Sequence, residues 1–87
     1  MSLNRYACRR DDNEREIISA LEQAGCSVYQ GDWCDLIVGR AGQNFMLEVK
    51  TERGRLTKSQ QKLHDGWRGT ISVVRDVPEA LAAVGLL

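Results

Sequence analysis

The sequence predicts an α/β domain in which one helix leads three short strands, and a second helix, a fourth strand and a short last helix close the chain. Three observations carry this. Two apolar runs, Trp33–Val38 and Phe45–Lys50, flank a glycine-containing turn, as in a β-hairpin. Apolar residues recur at helical spacing over Ile17, Ile18, Leu21 and Ala24. A T-x-x-Q capping box, Thr57 to Gln60, opens a helix between the second run and a third apolar run, Ile71–Val74. A strand, helix, strand succession calls for a parallel crossover, so the expected sheet is mixed and four-stranded, with helices flanking it.

The elements follow in order. Residues 1–10 are polar and basic and read as a loose start. Asp11 or Asp12 is the expected N-cap of the first helix, with Glu14 as the acid of a capping box, and Gly25 ends it. Cys26 to Gln30 reads as a strand and Gly31-Asp32 as a turn. The two apolar runs form the hairpin around Ala41-Gly42, and Glu52–Arg55 makes a basic loop. The second helix extends to about Arg68, where Gly69 stops it, with Gln60, Leu63, His64 and Trp67 on one face. Pro78 at a first helical turn opens the last helix, which ends near Gly85.

With 87 residues the chain makes one domain, residues 1–87, with a modest core that dimerisation would reinforce. No apolar run approaches a membrane span and no secretory signal pattern opens the chain, so a cytoplasmic protein is expected. The cysteines, Cys8, Cys26 and Cys34, are odd in number and form no CxxC, and His64 is the single histidine. That points away from a disulfide framework or a zinc site, and makes Cys26 and Cys34 candidate core residues. Net charge is zero, but its distribution is uneven. Residues 50–68 hold six basic side chains against Glu52 and Asp65, a net +4; residues 14–35 hold five acidic ones against Arg15, a net −4. Such polarity suits a cation site beside a phosphate-binding surface, and equally a solvated surface with scattered charge.

The most informative spacing is Asp35, then Glu48-Val49-Lys50. Charges inside apolar strands are costly unless paired or bound to a metal. With Ala41-Gly42 as a two-residue loop, Asp35 faces Glu48, and Lys50 shares their face. Opposed carboxylates repel unless a cation lies between them or one is protonated. Oxygen-only ligands suit Mg²⁺ or Mn²⁺, with the Val49 carbonyl as a further ligand. Lys50 could orient the attacking water, take its proton or stabilise charge on a phosphate. The same residues also fit a Lys50–Glu48 surface ion pair with Asp35 at a solvated strand edge.

This order of elements, with Asp35 at the second strand and Glu48-x-Lys50 at the third, resembles the core of the PD-(D/E)XK nuclease superfamily, restriction-endonuclease-like in fold with an αβββαβ core. The likeness is strongest to the small stand-alone VRR-NUC domain of phages and bacteria. Asn13–Ile17 is similar to the first-helix motif shared with Holliday junction resolvases, and Gly54–Gln60 to the segment that follows the E-x-K strand. Val73-Val74-Arg75 with Pro78–Leu81 resembles the usual ending. The family often has proline where this chain has Cys34.

The resemblance implies metal-dependent hydrolysis of DNA phosphodiesters. Asp35 and Glu48 would hold the Mg²⁺ or Mn²⁺ with the Val49 carbonyl, and Glu14 would be a further acidic ligand. Lys50 would be the catalytic lysine, and Gln60 would support the site or contact DNA. The basic residues Arg53, Arg55, Lys58 and Lys62 would hold the DNA backbone without reading bases. So small a chain has no room for a sequence-reading module, so a structure-specific endonuclease is expected, a homodimer acting on branched DNA as a Holliday junction resolvase does. The last helix with Leu86-Leu87 is a candidate dimer surface. The alternatives are a non-catalytic DNA-binding module that keeps the fold and a subunit that works with a helicase or other repair partner.

Overall fold

The computed structural model describes residues 2–87, with backbone alone for residues 2–12. Three helices and four strands follow in the order α1 (Ser2–Gln23), β1 (Ser27–Gln30), β2 (Leu36–Arg40), β3 (Gln43–Val49), α2 (Lys58–Gly66), β4 (Ile71–Val74) and α3 (Val77–Ala83). The strands lie side by side in one mixed sheet, β1-β2-β3-β4. β1–β2 and β2–β3 are antiparallel, and β3–β4 is parallel across α2. The element order and the mixed four-stranded sheet match the expectation.

α1 departs from it. The helix begins at Ser2, so residues 2–10 are helical and not loose, and Asp11 and Asp12 are interior positions, not N-caps. No glycine or proline occurs between Ser2 and Ala24. Asp and Asn inside a helix lose only about 0.7 kcal/mol each relative to Ala, too little to start a new helix there. Its C-terminus is as expected. Gly25 takes φ +93, its N–H donates to Glu22 and that of Cys26 to Leu21, the double bond of a Schellman turn. Ile17 and Leu21 are fully buried, whereas Ala24 is exposed and off the stripe. β1 starts at Ser27 because Cys26 belongs to that turn.

The hairpin register is the expected one. Ala41 and Gly42 both have positive φ, +52 and +76, as a type I′ turn requires. Arg40 then pairs with Gln43 and Leu36 with Leu47. Leu36, Val38, Leu47, Val49 and Val74 face one side of the sheet and form the core with Ile17 and Leu21 of α1 and Ala80 and Val84 of α3. Cys26 joins this core, and Cys34 is also buried; both are free thiols. The side chain of Cys8 lies outside the described residues. The core is small, and α1 and α3 close it on one side only.

α2 serves the other side. Thr57 caps it, and the reciprocal box with Gln60 is complete. It ends at Gly66 and not near Arg68, because Trp67 turns extended (φ −79, ψ 127) and its indole meets Trp33, with ring centroids 5.1 Å apart. Asp76 caps α3 by accepting from the Glu79 N–H, and Pro78 lies in its first turn. Gly85, at φ +85, ends α3 as Gly25 ends α1, with Leu86 N–H donating to Leu81. Leu86 packs on the core while Leu87 is exposed. Among the described residues no helix is long and apolar enough to cross a membrane.

Ala41 occupies a left-handed position that costs an L-residue with Cβ roughly 1–2 kcal/mol, and Asn tolerates it better. Ala41→Asn is therefore expected to stabilise the fold by about 0.5–1 kcal/mol. Urea unfolding checks this, with the midpoint rising and the slope unchanged.

Candidate active site

The site lies where the β2–β3 ladder runs out. The last regular pair is Leu36 with Leu47, and continuing that register sets Asp35 against Glu48. Asp35 precedes β2 and is half-buried. Its Oδ2 accepts the Val49 N–H at 2.8 Å, so a side chain takes over from the backbone where the ladder ends. The approach to Asp35 is set by a tight turn: Gly31 N–H donates to the Asp35 carbonyl, and a Cβ on Gly31 would lie 2.9 Å from the Cys34 carbonyl oxygen.

Glu48 points away from the aliphatic core, toward α2, yet it is only 1% exposed. That excludes the reading of Glu48 as half of a surface ion pair. Two neighbours come from α2, one turn apart. Gln60 Nε2 donates to Glu48 Oε2 at 3.2 Å, and His64 Nε2 lies 4.0 Å from Glu48 Oε1. Gln60 does more than one job. Its Oε1 accepts from Lys50 Nζ at 2.7 Å and from the Thr57 N–H at 2.9 Å. The residue that completes the capping box thus also joins the lysine to the glutamate. Capping and site support, which the sequence offers as competing roles for Gln60, coexist.

Asn13 and Glu14 approach from α1. Asn13 Nδ2 donates to the Lys50 carbonyl at 3.1 Å, tying the helix to the end of β3. Glu14 is half-buried, and its Oε2 accepts from Gln30 Nε2 at 3.2 Å. Asp35, Glu48, Lys50 and Gln60 therefore come together at one end of the sheet, the end at which Gln30 of β1 engages Glu14. Among the described residues no three His, Cys, Asp or Glu side chains are grouped to hold a metal ion.

Cys34 precedes Asp35 in sequence, and both carboxylates act on its thiol. Burial pushes its thiol up from the ordinary range, and the charges of Glu48 and then Asp35 push it further. Its Sγ donates to the Leu36 carbonyl at 3.6 Å. Two carboxylates, with a backbone carbonyl available, are the donor set that Mg²⁺ commonly takes when a phosphate and waters complete its shell. Asp35 and Glu48 supply two side chains of that chemical kind, and among the described residues no third His, Cys, Asp or Glu joins them.

The basic residues named from the sequence, Arg53, Arg55, Lys58 and Lys62, are all exposed. Arg53 and Arg55 line an open cleft of about 540 Å³ with Glu52, Gly54 and Arg75. Arg75 holds this loop in place: its Nη1 donates to the Thr51 and Gly54 carbonyls at 2.8 and 2.7 Å. Sequence reasoning gave no role to Arg75, His64 or Asn13 in the site. His64 was detectable, since it shares the helical face of Gln60. Arg75 was not, because its partners lie more than twenty residues upstream.

Comparison with protein-family models, with curated proteins and with solved structures finds no match to this chain.

Two predictions arise here. Asp35→Asn keeps an acceptor for Val49 N–H and should cost under about 1 kcal/mol, whereas Asp35→Ala leaves that group unsatisfied and should cost about 1–3 kcal/mol. Equal losses in denaturant unfolding would show that the Asp35 bond does not hold the ladder end. The second concerns pH. The Cys34 thiol has a higher pKa folded than unfolded. Its contribution to stability is intact below the unfolded value of about 8.5 and is lost as pH rises through the folded one. Stability of the wild type should fall more steeply above pH 8.5 than that of Cys34→Ala. Parallel pH profiles of the two proteins would exclude this linkage.

Proposed function

We propose that this protein is a divalent-metal-dependent endodeoxyribonuclease of the PD-(D/E)XK, VRR-NUC-like type. One observation carries the reading: a carboxylate buried to 1% exposure is joined through Gln60 to Lys50, at the sheet end that also holds Asp35. Burying a charge is worth several kcal/mol of penalty after relaxation, and a hydrophobic residue would close the sheet against α2 at lower cost. Retaining Glu48, Lys50 and an amide bridge makes sense where their chemistry is used.

Asp35 and Glu48 would hold Mg²⁺ or Mn²⁺, with the Val49 carbonyl beside them. When bound, such an ion supplies Lewis-acid polarisation of the scissile phosphate and a lower pKa for the attacking water. The other steps belong to the chain. Lys50 Nζ, presented by Gln60 at 2.7 Å, orients the water or stabilises the charge developing on the phosphate. Gln60 joins the ammonium and the Glu48 carboxylate through one amide. Arg53 and Arg55, on the loop that Arg75 pins, with Lys58 and Lys62 on α2, hold the DNA backbone without reading bases. Glu14 would enter as a ligand through water or a second ion.

A structure-specific role as a homodimer on branched DNA, as in Holliday junction resolvases, is the form of this activity that we propose, since a two-fold dimer presents two sites to a symmetric junction. Action inside the cell on chromosomal or phage DNA, alone or with a helicase or repair partner, would follow.

The test is cleavage of a labelled four-way junction, a flap and a linear duplex, with Mg²⁺ or Mn²⁺, with EDTA, and with Lys50→Ala. Cutting should require the ion and fall by at least about 100-fold in Lys50→Ala, while folding and DNA binding persist. Paired symmetric cuts in the junction alone would establish the resolvase form. Wild-type cutting by Lys50→Ala would remove the catalytic assignment, and no ion binding together with an inert Asp35→Asn would favour the non-catalytic DNA-binding module.

A further inference from the structure

Trp33 and Trp67 are the two tryptophans of the chain, and they meet at the surface. Their ring centroids are 5.1 Å apart with planes tilted by 44°. Trp33 remains 48% exposed and Trp67 41%. Neither belongs to the aliphatic core on the other side of the sheet. Two aliphatic side chains would fasten the loop before β2 to the end of α2 as well, with less apolar surface in water.

Their position ties them to the site. Trp33 lies two residues before Asp35, within about 7 Å of backbone reach. Trp67 is the C-cap of α2, three residues past His64, whose Nε2 lies 4.0 Å from Glu48 Oε1. The backbone is shaped around the Trp67 ring: a Cβ on Gly69 would lie 3.0 Å from its Nε1. Arg68, exposed, follows Trp67 in sequence, while Lys58 and Lys62, one turn apart, lie on the other face of α2. The carboxylate of Asp65, on the same helix, is engaged by Gln61 Nε2 at 2.8 Å.

We propose that the Trp33–Trp67 pair is a stacking platform for an unpaired DNA base next to the phosphate to be cut, which a metal ion on Asp35 and Glu48 would bind. This rests on the nuclease reading and adds a substrate feature to it: a strand with at least one unstacked nucleotide beside the cut. The rings touch each other, so the base stacks on an outer indole face and is not sandwiched between them. Arg68 takes a neighbouring phosphate, and the indole takes the base whatever its identity, as in sequence-tolerant single-strand binding.

Because both tryptophans are in the pair, intrinsic fluorescence reports on it alone. The test titrates the full chain, in EDTA, with a twelve-residue oligo(dT) and with an abasic oligonucleotide of equal length and charge. Binding is followed in parallel by anisotropy of an end label. Oligo(dT) should quench the indole emission saturably and bind about 5–150-fold more tightly than the abasic strand. Trp33→Leu should lose most of that preference, and Trp33→Phe should keep much of it, with circular dichroism melts confirming that both are folded. Equal affinity of the wild type for the two strands without quenching would overturn the platform and leave DNA binding by the cations standing. Binding of neither strand would overturn it as well. Quenching and base preference without any metal-dependent cutting would keep the platform and remove the nuclease, so the two readings fail separately.

Discussion

The buried carboxylate of Glu48 is the constraint around which one whole side of this molecule is arranged. A charge at 1% exposure must be met by polar groups, and here they come from a helix on the other side of a loop. Gln60 meets one oxygen and His64 approaches the other. α2 carries no buried residue of its own, so little apolar burial fixes it on the sheet. It is held by its cap at Thr57, by the polar contacts to Glu48 and Lys50, and by the tryptophan contact at its far end. A helix seated this way is strong in geometry and weak in hydrophobic free energy, which suits an element that has to present side chains to a site.

The two sides of the sheet therefore do different work. One is an aliphatic core closed by α1 and α3, with both helix ends stopped by glycines in Schellman turns. The other carries Ile37, Met46, Ile71 and Val73, half-buried, and at one end gathers Asp35, Glu48, Lys50, Gln60 and His64. β3 crosses between them, since Leu47 and Val49 face the core while Glu48 faces α2, and all three are buried. Strand alternation lets seven residues serve both sides at once. Arg75, just past β4, belongs to the same economy: it anchors the basic loop to the sheet by two backbone carbonyls.

Much of the fold was legible in the chain because local rules agreed with the global one. The Ala41-Gly42 turn set the hairpin register, and with it the opposition of Asp35 and Glu48. The Thr57–Gln60 box opened α2 at the expected residue, and Pro78 and Gly85 bounded α3. The errors fell where local signals were permissive. Two aspartates and an asparagine looked like a helix start, yet nothing in that stretch forbids a helix, and α1 runs from Ser2. Gly69 looked like a helix stop, yet the docking of Trp67 on Trp33 ended α2 earlier.

What the sequence by itself determined is the list of elements, the pairing of the hairpin and the candidate chemistry of Asp35, Glu48 and Lys50, because these depend on residue spacing and turn type within a few residues. What only the tertiary structure decided is the environment of that chemistry. Burial of Glu48, the joining of Lys50 to it through Gln60, the engagement of Glu14 by Gln30, the anchoring role of Arg75 and the meeting of Trp33 with Trp67 all link residues ten to thirty-four positions apart. No local rule ranks such contacts, since they follow from how α2 and the loops settle on the sheet.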